Sequence, residues 1–279
     1  MPQIKKILFP VDFSDSCVGA ARYVEAFAGQ FEAEILLLHA VVMGEHTLAE
    51  ERMPVKKAQL DAFLTTELKY FTTHRVCVIA DDPARAIAEA ARSWNPDLVM
   101  MPTHGLGFFR PSLLGSVTAK VLHDVDCPLW TSVHAELTPS LEEIHCHRIL
   151  CSLDLSKCSR NILAWAAWLA GEYQASLGIV HATAATDALD AEHYLRDEFA
   201  RYVSVQARAR IGALQAEVGA VADVFINPGK PDLVVGRAAE EFAADLLVIG
   251  RHESVGVVGD LSQNALAILR GSPCPVISI

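Results

Sequence analysis

Short runs of apolar residues alternate with amphipathic segments along the first half of the chain. The apolar runs, which are typical of buried parallel strands, lie at residues 7–12, 34–42, 76–79, 97–101 and 127–133. Apolar side chains at helical spacing predict helices between them, over residues 17–30, 49–72, 84–94 and 116–123. Pro54 can break the start of the second helix, whereas Pro83 suits the first turn of the third. This alternation predicts a parallel sheet with right-handed crossovers.

The same order of elements begins again in the second half. The offset is 142 residues between Asp12 and Asp154 and between His39 and His181, and 147 or 148 residues for the last two strands. Nearly constant offsets indicate a tandem duplication, with length changes confined to the connections. We therefore predict an α/β protein with a first domain at residues 1–134, a linker at 135–146 and a second domain at 147–279.

A glycine-containing stretch at residues 102–120 connects the fourth predicted strand to the fourth predicted helix. Gly105 and Gly107 follow the strand, and Gly115 and Ser116 open the helix. A helix start offers unpaired N–H groups and the positive end of the macrodipole, and glycine lets the backbone approach a phosphate closely. We interpret the stretch as a phosphate-binding loop. The alternative is that the glycines only form a turn and Ser116 only caps the helix.

The spacing of these residues resembles a known loop. Gly105, nine further residues and Gly115-Ser116 are similar to the later part of the Gly-x2-Gly-x9-Gly-Ser/Thr loop of ATP-binding universal stress proteins. Pro102 stands where the family's first glycine would be, and it brings no N–H to a phosphate. Because of the repeat, the chain resembles the tandem type of this family. The resemblance implies two Rossmann-like, adenine nucleotide alpha hydrolase-like folds, each a doubly wound five-stranded parallel sheet of strand order 3-2-1-4-5.

The resemblance also implies a nucleotide site in the first half. Asp12 matches the position that contacts the adenine or ribose, and Val41 matches the position whose backbone meets adenine. The ligand crevice of such a sheet lies at the carboxyl ends of the first and fourth strands, where Asp12 and the glycine loop both lie. The candidate cofactor-binding residues are Pro10, Val11, Asp12, Val41, Pro102, His104, Gly105, Arg110, Gly115, Ser116 and Val117.

Three of these candidates have a simpler alternative interpretation. Asp12 can instead cap the turn that follows it, and His104 can be a local hydrogen-bonding residue. Arg110 can reach a terminal phosphate or be a plain solvated arginine. No catalytic residue is predicted, because neither half offers a Ser/His/Asp or paired-carboxylate arrangement beside the loop.

The second half keeps Asp154 but lacks the glycine loop. Residues 250–253 and 262–264 replace the glycines of the first half with larger residues, which hold the backbone away from a ligand. Glu253 would also bring a carboxylate near a phosphate, and like charges repel. We expect that the second half does not bind ATP in the manner of the family.

Composition narrows the classes of partner. The net charge of −11 is spread without a basic block, so neither nucleic acid nor a membrane is an expected partner. No apolar run approaches the roughly 20 residues of a spanning helix, and the first residues run into a strand without room for a signal peptide. Seven cysteines without a Cys-x-x-Cys pair argue against a disulfide framework. We expect a cytoplasmic protein.

Some cysteines and histidines invite other interpretations. Cys127 and Cys274 each precede a proline, and we interpret both as small buried hydrophobic residues. The run His145-Cys146-His147 has metal-ligand residue types, but its spacing fits no zinc template well, so no metal site is predicted.

The resemblance favours a stress-response module that binds ATP, with Mg²⁺ as its companion, at one site in the first domain, and at most slow ATP hydrolysis. The alternative is a scaffold that acts through protein contacts, which Pro102 favours. A third class, an adenylating enzyme of related fold, lacks its His-x-Gly-His type motif here. The family commonly dimerises through its last strand, so strands 127–133 and 274–279 are expected to form an intrachain pseudo-dimer, and a homodimer of whole chains is left open.

Overall fold

The computed structural model describes residues 2–42, 49–105, 114–133, 140–184, 193–251 and 263–279. The chain divides into two compact units, Met1–His145 and Cys146–Ile279. Part of the predicted linker, residues 134–139, lies outside the described residues, and Leu141–Glu143 forms a short 3-10 helix. The linker at 135–146 and the domain limits on either side of it stay predictions.

The first unit is an α/β fold with a parallel sheet. The pairings described among its own five strands are parallel, and the strand order is β3-β2-β1-β4-β5. The predicted fold class and strand order are confirmed. Its elements are β1 (Lys6–Pro10), α1 (Asp15–Phe31), β2 (Glu34–Val42), α2 (Ala49–Ala62), β3 (Thr73–Ala80), α3 (Pro83–Trp94), β4 (Leu98–Met100), α4 (Ser116–Asp124) and β5 (Leu129–Thr131).

The second unit repeats this arrangement. Its strand order is β10-β9-β6-β7-β8, again with parallel pairings, which is the order of the first unit counted from the other edge. Its elements are β6 (Arg148–Ser152), α5 (Ser159–Tyr173), β7 (Ser176–Thr183), α6 (His193–Val218), β8 (Asp223–Pro228), α7 (Pro231–Phe242), β9 (Leu246–Ile249), α8 (Gln263–Gly271) and β10 (Val276–Ser278).

The central strands are buried on both faces. Ile7, Leu8 and Phe9 expose 0% of their surface, although neighbouring side chains of a strand point to opposite faces. Such burial requires helices on both sides of the sheet, and it explains why the apolar runs are nearly continuous rather than alternating.

One aspartate in each unit fastens the start of the first strand to the start of the fourth. Asp97 Oδ2 accepts hydrogen bonds from the backbone N–H groups of Lys5 (2.7 Å) and Lys6 (3.0 Å). Asp245 Oδ2 accepts from His147 (2.7 Å) and Arg148 (2.8 Å) in the same way. The duplication therefore extends to side-chain hydrogen bonds.

Helix α3 begins where the sequence predicts. Asp82 is its N-cap and accepts a hydrogen bond from the Ala84 N–H at 3.0 Å, and Pro83 occupies the first turn. The helix ends at Asn95, whose φ of 52° is left-handed. These caps fix Pro83 and Ile87, both of which line the cavity described below.

Among the differences from the prediction are two strand limits and the burial of one cysteine. Strand β1 ends at Pro10 rather than at residue 12, because the chain turns at Phe13, whose φ is 66°. Strand β3 is longer than residues 76–79, because it pairs with β2 from Ile35 to Val42. Cys274 is buried as predicted, but Cys127 is only half-buried, so its interpretation as a buried residue is wrong.

Helix α2 continues through Pro54 and ends ten residues before the predicted residue 72, at Ala62. Arg75, on β3, contacts this end of the helix. Its Nη1 donates to the carbonyl oxygen of Leu60 (2.7 Å), in the last turn, and to that of Phe63 (2.6 Å), the first residue after the helix. Leu64 then takes a left-handed φ of 55° and turns the chain.

Candidate functional site

A cavity of about 400 Å³ lies where β1, β2 and β4 end in the first unit. This is the switch point of the sheet, and the volume is within the range of about 300–1,000 Å³ usual for ligand pockets. The candidate residues that line it are Pro10, Val11, Asp12, Val41, Pro102, His104, Gly105, Gly115, Ser116 and Val117. Arg110 lies outside the described residues, so its place stays a prediction.

Asp12 faces both the turn after β1 and the glycine loop. Its Oδ1 accepts hydrogen bonds from the Ser14 N–H (3.0 Å) and the Cys17 thiol (3.1 Å). Its Oδ2 faces Gly105, where a Cβ atom would lie only 1.8 Å from that oxygen. The turn-capping interpretation of Asp12 therefore holds in the structure, and the same side chain also lines the cavity.

The Cys17 thiol is a hydrogen-bond donor rather than a nucleophile. Burial, with the nearby Asp12 carboxylate, raises the pKa of Cys17 to about 12, so the sulfur keeps its proton at neutral pH. The second unit shows the same arrangement with a hydroxyl. There Asp154 Oδ1 accepts from the Ser156 N–H (2.9 Å) and from Ser159 Oγ (3.0 Å).

His39 supports the cavity from β2. Its Nδ1 lies 2.7 Å from the Val11 carbonyl oxygen, so Nδ1 must carry the proton and donate it. Burial lowers the pKa of His39, with smaller contributions from the positive charges of Lys56 and Arg52. The ring is therefore neutral at pH 7 and holds the end of β1 beside β2. His181 makes the corresponding contact in the second unit, where its Nδ1 lies 2.7 Å from the Leu153 oxygen.

Gly115 joins the start of α4 to the strand before the loop. Its N–H donates to the Thr103 carbonyl oxygen at 2.7 Å, and a Cβ atom here would lie 3.0 Å from that oxygen. Only glycine fits this approach comfortably, and the Gly115 N–H is engaged by this carbonyl oxygen. The interpretation of the loop as a phosphate-binding loop stays a prediction.

The amides that remain for an anion belong to the first turn of α4. The first backbone bond inside the helix runs from the Ala119 N–H to the Gly115 oxygen (2.9 Å), so the N–H groups of Ser116 and Val117 have no partner within the helix. Gly115, as the N-cap, has no side chain to offer them. Their dipoles add to the positive end of the helix, which favours a negative charge here.

Pro102 and the residues after it are tied to their neighbours. The Pro102 carbonyl accepts from Thr118 Oγ1 at 3.1 Å. Thr103 Oγ1 donates to the Ser132 oxygen at 3.0 Å, so the contact of 2.9 Å between this hydroxyl and His104 requires that His104 Nδ1 donates. The local hydrogen-bonding interpretation of His104 therefore holds, although the ring also lines the cavity.

Several residues that the sequence analysis did not propose also line the cavity. Arg52 and Lys56 of α2 are the charged ones among them, and Cys17, Ile87 and Thr118 contribute elsewhere on the wall. The sequence does show that Arg52 and Lys56 share a face of α2, because residues four apart on a helix lie on the same side. What the sequence does not show is that this face of α2 meets the carboxyl ends of the strands.

The second unit differs where the loop would be. Arg251, at the position of Thr103, is 1% exposed. Glu253 and Ser262 lie outside the described residues, so the loss of ATP binding by the second half stays a prediction.

The described residues hold no cluster of three or more His, Cys, Asp or Glu side chains that could bind a metal ion. Burial raises the pKa of Cys146, in the His145–His147 run, to about 12, so its sulfur keeps its proton at pH 7 when no metal is bound. Among the helices described, none is long and apolar enough to cross a membrane.

Comparison with known proteins decides the family. The family model described as the Universal stress protein family matches residues 3–132 and again residues 145–279. The chain belongs to the universal stress protein family. It carries two domains of this family in tandem, as the internal repeat predicts.

Individual universal stress proteins match one half of the chain or all of it. A protein of Thermus aquaticus is 30% identical over 134 residues, which is 45% of this chain and 96% of that protein. A protein of Methanocaldococcus jannaschii is 27% identical over 139 residues, which is 45% of this chain and 79% of that protein. The crystal structure of a universal stress protein from Archaeoglobus fulgidus covers 98% of this chain and 97% of its own, with a TM-score of 0.74 and 22% identity. This last similarity shows the fold alone.

Proposed function

We propose that the first domain of this tandem universal stress protein binds ATP in the cavity at the ends of β1, β2 and β4. In this proposal the protein is a nucleotide-binding regulatory module of a stress response. The observation that supports the proposal most is that all of the candidate residues that the structure describes line one cavity of ligand size.

The residues present suit the parts of a nucleotide. The first-turn amides of α4 and the Ser116 hydroxyl offer donors to phosphate oxygens. The Asp12 carboxylate offers an acceptor to ribose hydroxyls, and buried Val11 and Val41 offer apolar surface to the base. Mg²⁺ enters the proposal as a companion of the phosphates, and it would keep mostly phosphate and water ligands.

The proposed role is binding rather than fast turnover. His39 lines the cavity beside the end of β1, but its Nδ1 proton is held by the Val11 carbonyl. We expect at most slow ATP hydrolysis. The internal pairing of the two domains as a pseudo-dimer, homodimerisation and a cytoplasmic location stay predictions.

A second candidate function rests on the loop. Pro102 brings no N–H, and the Gly115 N–H is engaged by Thr103, so two amides of the family's loop are lost to a phosphate. If the remaining donors do not suffice, the protein acts as a scaffold through protein contacts.

Calorimetric titration of the intact protein with ATP, with and without Mg²⁺, tests the proposal. We expect one site per chain, which Gly115→Val removes because the added side chain meets the Thr103 carbonyl. The matched control is Gly171→Val, at an exposed helical position where a Cβ meets nothing within 4 Å. Two sites per chain would refute the degenerate second domain, and no binding at millimolar ATP would leave the scaffold function.

A further inference from the structure

Helix α2 brings two cations to the nucleotide cavity. Arg52 and Lys56 both line it, and they are four residues apart and therefore on one face of the helix. Lys56 is half-buried, and its ammonium is held 2.9 Å from Gln59 Oε1 and 5.0 Å from the centre of the Phe13 ring. We call Arg52 and Lys56 the cation pair.

The cation pair reverses the local sign of charge. The protein carries a net charge of −11, yet the fully charged side chains among the described lining residues are Arg52, Lys56 and Asp12. Asp12 already accepts two hydrogen bonds on Oδ1, which stabilise its charge within the wall. The positive charges of both members of the pair lower the pKa of His39, so their electrostatic field reaches this lining residue.

The positive charges of the cation pair matter because the glycine loop lacks backbone N–H donors to a phosphate at two positions. Pro102 has no N–H group and the Gly115 N–H is engaged, so these two positions of the loop offer no donor to a phosphate chain. A ligand with several negative charges then needs compensation from side chains. Cationic side chains provide stronger hydrogen bonds to phosphate than neutral donors do.

We propose that the cation pair forms a second positively charged wall of the first-domain site, in addition to the start of α4. This wall selects nucleotides by the charge of their phosphates. Affinity then falls in the order ATP, ADP, AMP, adenosine. This inference rests on the proposed nucleotide function and adds to it the residues that select for the number of phosphates.

The test is a matrix of ligands and variants. ATP, ADP, AMP, adenosine and inorganic triphosphate are titrated into the wild-type protein, Arg52→Gln, Lys56→Gln and the double variant. The control is Lys57→Gln, which removes the same charge from an exposed neighbour that does not line the cavity. Unchanged unfolding midpoints show that the variants are folded.

The expected result depends on the phosphate count. Each variant of the pair weakens ATP binding by about 10-fold and adenosine binding by less than about 2-fold, since charge-assisted bonds to phosphate are lost. Lys57→Gln changes ATP binding by less than about 2-fold, because Lys57 does not line the cavity and solvent and salt screen its charge over the longer distance.

The outcomes separate this inference from the function on which it rests. Equal losses for ATP and adenosine would show that the pair packs against the nucleoside, and this would overturn selection by charge. Nucleotide binding that the pair variants leave unchanged would overturn the inference but keep the proposed function. Binding of inorganic triphosphate alone, lost in the double variant, would refute the nucleotide function and support the wall. Binding of none of the five ligands refutes both.

Discussion

Replacing Gly105 by alanine puts a methyl group into the space of the Asp12 carboxylate. The new Cβ would lie 1.8 Å from Oδ2 and 2.9 Å from Cγ. Non-bonded carbon and oxygen atoms need more than about 3 Å, so the carboxylate must move by at least about 1 Å. The movement takes Oδ1 from its donors, the Ser14 N–H at 3.0 Å and the Cys17 thiol at 3.1 Å.

The magnitude follows from these two hydrogen bonds. A hydrogen bond to a charged acceptor contributes about 1.5–3 kcal/mol, and the bond from the weak thiol donor contributes less. Because the Asp12 carboxylate is half-buried, water replaces part of what is lost. Alanine also lowers the conformational entropy of the unfolded chain relative to glycine, and this offsets about 0.4–1 kcal/mol of the destabilisation. We expect Gly105→Ala to lower the free energy of unfolding by about 1–2 kcal/mol and ATP affinity by about 10-fold.

A double-mutant cycle measures whether the methyl group acts through Asp12. Urea unfolding and ATP calorimetry are carried out on the wild type, Gly105→Ala, Asp12→Ala and the double variant. In the Asp12→Ala background the added methyl group has space, so Gly105→Ala should cost almost nothing further. The control is Gly29→Ala in α1, where a Cβ has no neighbour closer than 3.9 Å. A full cost of Gly105→Ala in the Asp12→Ala background would refute the reasoning.

Two further predictions concern the support of the cavity. Cys17→Ser should keep the donor to Asp12, as Ser159 does for Asp154, whereas Cys17→Val should lower the free energy of unfolding by about 1–2 kcal/mol; equal urea midpoints for the two variants would contradict this role. The pKa of His39 is lowered by burial below its ordinary value of 6.5, so the unfolded chain binds the proton more tightly and stability should fall as the pH drops below that value. His39→Asn should show a smaller loss between pH 8 and pH 5, and an unchanged loss would assign the pH dependence elsewhere.

The sequence predicted the sheet well because each strand carries its own signal. Continuous apolar runs such as Ile35–Leu38 identify a strand buried on both faces without any knowledge of its neighbours. The limits that were wrong depend on distant partners. No local pattern shows that Arg75, thirteen residues after Ala62, binds the carbonyl oxygens of Leu60 and Phe63 at the end of α2.

The candidate site was predictable where position alone brings residues together. Asp12 and Val41 follow strands that end at one edge of the sheet, so the topology is sufficient to place them. The engagement of the Gly115 amide was not predictable, because it depends on a separation of 2.7 Å between two ends of one loop. Arg52 was missed because its contribution depends on how α2 lies across the strands.

The hydrogen bonds from Arg75 to the end of α2 have a consequence for how the sequence of this protein can diverge. They anchor the cation-bearing helix to the edge strand directly, independently of the peptide that links them. Substitutions at exposed positions of the connecting segment, such as Tyr70, should therefore leave ligand preference unchanged, whereas a change at Arg75 should alter it without touching the cavity.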